Sequence, residues 1–413
     1  MPTIGLSDSA SFSSRPHEIV AKVSKTATAS ANATALEAWV AALGAHASTY
    51  GAGAVGVIPP IAFSFNGPVT MPNMATGCNL AIHAEGAKMT YTGTGAAFST
   101  PMPSSASDAE SKNDVRDMWR WYGGRLVGPS AAGSTGFEWN AVSRMAMHGV
   151  NVSGFEENIR VRFGLHFYAH QLVSWNALEY GLRVEVTGSA DWSGASPANA
   201  ASNMTRLDLC RFLATPGQTA QVRIANSSCR LYDTTFEGSD PEIDLDFYNA
   251  NTANLVMVST GMHVEHNPTV AAVRIQTMHD AEVDFAYATP DGTAPLVKVV
   301  DAALVTVGRT GYPVAGQSSS VAMFETPVGD TFSGSATRWV FAPGSHGGVQ
   351  PQNTGLWVGG RRPQALYAVG FPEGEASAYT LMSGYAAQGG TVNDLNFHLG
   401  KLRTGSTVVG TQS

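Results

Sequence analysis

The chain has 413 residues, of which 44% are hydrophobic and only 14% charged, against roughly a quarter charged in an average globular protein. That is too apolar for a disordered chain, so a sizeable core is affordable. The formal net charge of −8, from 24 Lys and Arg against 32 Asp and Glu, argues against nucleic acid as a partner, because neutralising phosphates needs clustered basic charge.

In chain order, residues 1–33 are rich in Ser, Ala and Thr and lack periodicity; they read as an extended arm, disordered or lying on a partner. Met1-Pro2-Thr3-Ile4 has no basic start and no apolar run behind it, so no secretory leader is expected. Leu36, Trp39, Val40 and Leu43 then recur at i, i+3, i+4 and i+7, which predicts one short helix from residue 34 to 43. Asn32 or Thr34 is positioned to cap its start, with Gly51 or Gly53 beyond its end. The most apolar stretch, Ala52 to Phe63, is broken by Pro59-Pro60 and is shorter than the ~20 residues a membrane span needs, so no membrane insertion is expected.

From there the sequence is a series of short apolar runs between turn residues, such as Ala54-Val55-Gly56-Val57-Ile58 and Asn79-Leu80-Ala81-Ile82-His83. Beyond residue 145 the runs repeat. Leu207-Asp208-Leu209-Cys210-Arg211-Phe212 matches Leu231-Tyr232-Asp233-Thr234-Thr235-Phe236 at an offset of 24. Val222-Arg223-Ile224 returns as Leu245-Asp246-Phe247, as Val273-Arg274-Ile275, and as Leu296-Val297-Lys298. A period of roughly 25 residues is that of a coil that cannot bury its apolar face alone and stacks on its neighbour. The fold class is therefore all-β, a right-handed parallel β-helix; a β-sandwich would give short strands without matching coils. Rungs ~4.8 Å apart would make seven coils a rod on the order of 35 Å tall. Past residue 310 Gly and Ser become dense, and the short strands expected at Thr337-Arg338-Trp339-Val340-Phe341 and Gly355-Leu356-Trp357-Val358 lack the repeat spacing.

The run Ala35-Leu36-Glu37-Ala38-Trp39-Val40-Ala41-Ala42, with Gly53-Ala54-Val55-Gly56-Val57-Ile58-Pro59 and Pro68-Val69-Thr70-Met71-Pro72, resembles the opening of the pectate-lyase-like superfamily. There a short helix caps the solenoid and a glycine-led strand ends in proline. Bacteriophage tailspikes and their counterparts in tail-like particles share this opening. The Asp-Gly-x-Thr-Asp-Asp segment that many phage members carry before the helix is replaced here by Thr26 to Thr34. The resemblance implies a spike at the surface of a virion or extracellular particle. Residues 1–33 would dock to a tail, baseplate or capsid protein, 34–310 would form the β-helix with its capping helix, and 311–413 would form a β-rich domain registering a homotrimer. The ligand it implies is a bacterial cell-surface glycan, with cleavage of that glycan left open. Two alternatives remain at this point: a free polysaccharide lyase or hydrolase, and a virion decoration without catalysis.

Four constellations are candidates for chemistry. The repeat register stacks Glu237 over Glu265, with Leu213 in the coil before and Ala288 in the coil after. Two carboxyls about 5 Å apart suit a retaining glycosidase. In Asp117-Met118-Trp119-Arg120-Trp121-Tyr122, Trp119 and Trp121 share a strand face and offer a sugar platform, with Asp117 and Arg120 reaching hydroxyls. Asp244 and Asp246 alternate outward in Glu242-Ile243-Asp244-Leu245-Asp246, as sugar-binding or solvated carboxylates. His263 lies on the same face as Glu265, in His263-Val264-Glu265-His266, a spacing unlike the helical zinc motif, so no metal is expected. No cofactor fingerprint occurs. Cys78, Cys210 and Cys229 read as small buried thiols.

Overall fold

A computed structural model describes residues 18–310 apart from 52, 73–78, 102–115, 186–201, 249–255, 266–267 and 289–293. Beyond 310 it describes only Phe324–Glu325, Arg338–Phe341, Ala365–Ala368, Lys401–Thr404 and Thr407–Thr411. The chain winds into a parallel β-helix with three strands to a coil. One coil consists of Ser227–Tyr232 on face one, Thr235–Gly238 on face two and Ile243–Tyr248 on face three. In the next coil Val256–Thr260, Met262–Val264 and the start of Ala271–Ala288 lie parallel on those three strands. Among the described residues the one antiparallel pair is Lys401–Thr404 with Thr407–Thr411.

Register follows the inward files. On face two, Phe63, Met89, Leu126, Val152, Ser174, Phe212, Phe236 and Val264 lie on one another through successive coils. Every one of them is buried. A one-residue slip would turn that whole file into solvent, which is why the register is firmly specified. The rings of Phe212 and Phe236 stack with centroids 5.7 Å apart. The repeat read from the sequence holds for Leu207 on Leu231 and for Val222, Leu245 and Val273. It fails by one residue at its last step, because Val297 and not Leu296 pairs with Val273.

Between faces one and two the chain turns on a single left-handed residue, coil after coil: Gly149, Gln171, Leu209, Asp233 and Gly261, with φ of 62°, 54°, 51°, 46° and 70°. The first four donate their N–H to the neighbouring coil, as in Leu209 N to Tyr232 O at 2.9 Å. The corner therefore continues the ladder instead of interrupting it.

The helix is longer than its apolar stripe suggested, running Ala29–Tyr50. Thr28 caps it, its side chain accepting from Ala31 N, and Gly51 closes it in a left-handed conformation. Asn32 is not the cap. It lies buried inside the first turn, donating to the carbonyls of Ser24 and Ser64 at 2.9 Å each. Leu36, Trp39, Val40 and Leu43 are all buried, as expected. The rod begins before the helix, since Glu18–Val20 pairs with Ala54–Val57; residues 1–17 of the expected arm lie outside the described residues. Cys210 and Cys229 are buried and unpaired, and burial pushes the Cys210 thiol up to about 12; Cys78 lies outside the described residues.

Past residue 310, Arg338–Phe341 pairs in parallel with Val297–Thr310, and Ala365–Ala368 with Arg338–Phe341. The step from Val305 to its partner Trp339 is longer than the step from Ala281 to Val305 just before it, and so it hid the continuation in the sequence. The expected strand Gly355 to Val358 lies outside the described residues.

Candidate functional site

Face two brings together Glu237, His263 and Glu265. Leu213 pairs with Glu237, Phe236 with Val264, and Glu265 N donates to Phe236 O at 3.0 Å, so the two glutamates stack as the repeat predicts. Ala288 is misplaced in that expectation: it pairs with Val264, in the inward file. The ligand atoms of Glu237, His263 and Glu265 lie within 4.8 Å of one another. His263 Nε2 is 3.4 Å from Glu265 Oε2, and its ring stacks on Tyr287 at 4.6 Å. Arg211, which pairs with Thr235 from the coil before, forks onto Glu237. These donors have the chemistry to hold a cation, which their spacing in the sequence did not suggest, but the Arg211 guanidinium already neutralises Glu237. Glu265 is half-exposed while Glu237 is largely covered. His266 lies outside the described residues.

The aromatic platform does not form. Trp119 and Trp121 do share a side, and it is the inward one: they are 2% and 1% exposed. Trp121 packs edge-on against Phe98 and Phe137, both at 4.9 Å. Large rings contribute most where they fill the core, and here they do. The outward positions of that strand belong to Arg120 and Tyr122. Asp117 is placed only as backbone, paired with Ser143. Asp244 and Asp246 take the outward side as alternation requires, yet both are 0% exposed. Asp246 receives Arg274 through Nε at 2.9 Å and Nη2 at 2.7 Å, with Arg223 3.7 Å away. Asp244 accepts from Gln221 Nε2 at 2.8 Å. Asp246 is a buried partner in an arginine file and Asp244 is held by Gln221, because a buried carboxylate must be paired.

The same face-three network extends upward. Arg183 joins Glu157 at 2.6 Å and Glu185 at 2.7 Å, and Arg160 joins Glu185 at 2.5 Å. Those side chains are all less than a quarter exposed. Charge on that face is spent on holding successive rungs to each other.

Face one carries the feature that the sequence reading missed. Just before the left-handed corner, His83, Tyr122, His148, His170, Asp208, Tyr232 and Thr260 pair in one outward file. His83 stacks on Tyr122 at 4.9 Å and Tyr122 on His148 at 5.1 Å, their planes within 14°. His148 meets His170 at 6.0 Å and Tyr168 edge-on at 5.5 Å. Because the stacked rings cover each other's faces, their edges, with imidazole nitrogens and phenol hydroxyls, are what the file presents. The parallel file two residues earlier holds Arg120, Ala146, Tyr168, Arg206 and Arg230. Arg206 grips Asp208 with Nε 3.0 Å from both carboxylate oxygens and lies over the rings of Tyr168 and Tyr232 at 5.4 and 5.1 Å. Tyr168 donates to Asp208 at 2.9 Å. Burial, then the charges of His170 and Arg120, lower the His148 pKa below the usual imidazole value. Burial and the Asp208 carboxylate raise that of Tyr168. The signal that would have found this file is a polar ring immediately before a corner residue, as in Tyr122-Gly123, His148-Gly149 and His170-Gln171.

No protein-family model matches the sequence, and no curated protein matches it. Among solved structures, the chain is similar to the A-module of the mannuronan C-5 epimerase AlgE6 of Azotobacter vinelandii. The similarity covers 84% of this chain and 86% of that one, at 11% identity and a TM-score of 0.31.

Proposed function

We propose that this chain is a spike-type β-helix that recognises bacterial surface polysaccharide, carried as a homotrimer on a phage tail or tail-like particle through residues 1–17. The observation that carries polysaccharide recognition is the face-one file from His83 to His170. It repeats hydrogen-bonding edges once per rung, every ~4.8 Å, a rise comparable to one pyranose unit, on a scaffold whose register cannot drift. A polymer with a repeating hydroxyl pattern gains a contact per rung from such a strip, and pre-organisation keeps the entropic cost low. The particle assignment is supported by the resemblance of the capping helix and first strands to tailspike openings.

Cleavage of the bound glycan belongs to a second reading, favoured by the approach of Glu237 and Glu265 to within 4.8 Å. In it, one carboxylic acid protonates the leaving glycosidic oxygen while the other carboxylate attacks the anomeric carbon; water then releases the covalent sugar.

One experiment addresses both readings, using immobilised capsule or O-antigen of the host. A Tyr122→Ala, His148→Ala variant is expected to lose retention at least tenfold with its melting temperature maintained. A Glu237→Gln, Glu265→Gln variant is expected to bind normally and release no reducing ends. Full retention by the first variant sinks recognition by face one. Undiminished release by the second removes the carboxyl pair.

A further inference from the structure

Face one differs from the rest of the molecule in charge as well as in shape. Between Arg120 and Tyr232 its two outward files carry Arg120, Arg206 and Arg230 against a single carboxylate, Asp208. Three positive groups against one negative leave a surplus of two, on a chain whose formal net charge is −8. His148 and His170 lie in the adjoining file and carry no negative charge. Arg206 and Arg230 are exposed and pair directly, one rung apart, and Arg120 is half-buried. Arg120 and Arg230 have no carboxylate within ion-pair distance among the described residues.

We infer that the polysaccharide bound on face one is an acidic one, its anionic groups set against Arg120, Arg206 and Arg230 and its hydroxyls against the ring edges of Tyr122, His148 and His170. This rests on the reading of face one as a glycan site and narrows it to a ligand class. Three physical points support it. Guanidinium groups match carboxylates through paired N–H donors, which neutral sugars do not use fully. Arg206 is already held by Asp208 and by two aromatic rings, so little side-chain freedom is lost when it meets a ligand. Arg206 and Arg230, ~4.8 Å apart along the file, repel each other until an anion lies between them. Face three also holds many arginines, but among the described residues they are matched by Glu157, Glu185 and Asp246, whereas on face one Asp208 answers only Arg206 of the three.

The test is a panel of purified bacterial capsular polysaccharides, part uronate-bearing and part neutral, with each uronate polymer also supplied in carboxyl-reduced form. The full chain is expected to bind only acidic members and to lose at least tenfold in affinity for their reduced forms. Arg206→Gln and Arg230→Gln, both at exposed positions, are expected to weaken acidic binding about tenfold each and to flatten its salt dependence, with melting unchanged in Arg230→Gln. Binding of a neutral polymer that needs Tyr122 and His148 but ignores both arginine variants overturns the inference and leaves face one a glycan site. Binding that ignores Tyr122 and His148 as well, or no binding to any member, overturns both.

Discussion

At the scale of single residues, His148 shows how the rod sets the chemistry of a side chain. Its ring is stacked on Tyr122, meets Tyr168 edge-on and faces His170, with Arg120 in the adjoining file. Burial first, then His170 and Arg120, disfavour its protonated form. A base whose pKa is lower in the folded than in the unfolded chain adds stability that is complete above the unfolded value of ~6.5 and is lost as pH falls through the folded one. The unfolded chain takes up a proton that the native chain refuses. From about pH 7 to about pH 5 the melting temperature is therefore expected to fall more steeply for the native protein than for His148→Gln. Equal slopes would remove His148 as the source. The same titration adds positive charge to face one, so an acidic ligand opposes the loss, and acid destabilisation is expected to shrink when one is bound. Asp246 is the contrasting case. Its alternation along the strand was legible, but its burial was not, because the side chains that cover it, Arg223 and Arg274, come from the coil before and the coil after.

At the scale of elements, the capping helix and the first coil are joined by one small residue. Trp39 projects from the helix and donates its indole N–H to Ile19 O at 2.7 Å, tying the strand that precedes the helix to the rod. Its ring lies over Gly56, where an added Cβ would be 2.5 Å from Trp39 Cζ2 and 2.9 Å from the Ile82 side chain. Neither neighbour is a free surface group: Trp39 is 3% and Ile82 2% exposed. Gly56→Ala is expected to displace the indole and cost about 1–3 kcal/mol, the usual range for overpacking. A urea midpoint unchanged within error would show that the cap gives way freely. The helix was legible because Leu36, Trp39, Val40 and Leu43 keep helical spacing, while its first turn was not, since Thr28 caps it from a polar stretch without periodicity. The strand files were legible where successive coils keep nearly the same length, from Phe212 to Phe236 and on to Val264. They were illegible on face one nearer the N-terminus, where the steps from Ile82 to Trp121 and from Ala169 to Leu207 are much longer. Extra residues in those two coils interrupt the repeat without disturbing the stack, because loop length costs only slowly in free energy. The regular steps from Tyr122 to His148 and His170 are thus cut off from the repeat on both sides, and density of aromatic residues pointed instead to Trp119 and Trp121, which the core absorbs.

At the scale of the whole molecule, a strip of single side chains has to hold a long polymer. Face one offers a hydrogen bond or ion pair at each rung, and each is modest in water. One chain is therefore expected to release a short glycan quickly. A particle that must stay on a cell gains from several strips at once, since a second engaged strip adds an effective concentration in the millimolar range and can tighten overall binding 10²- to 10⁴-fold, as an order of magnitude. Face three bears on which side of the rod would meet another copy. Arg160, Arg183, Glu157 and Glu185 already satisfy each other across rungs, so an approaching chain meets paired charge there and need not strip a bare ion of water. A trimer that packs near face three and leaves face one outward satisfies both conditions. Light scattering on the intact chain is then expected to give three times the 43.2 kDa chain mass. Dissociation from a capsule-coated surface is expected to be at least a hundredfold slower than release of a short soluble fragment of the same glycan, about the gain that multivalency supplies. A mass of one chain, with equal dissociation rates for surface and fragment, would leave a monomeric glycan-binding rod and take the spike assignment with it.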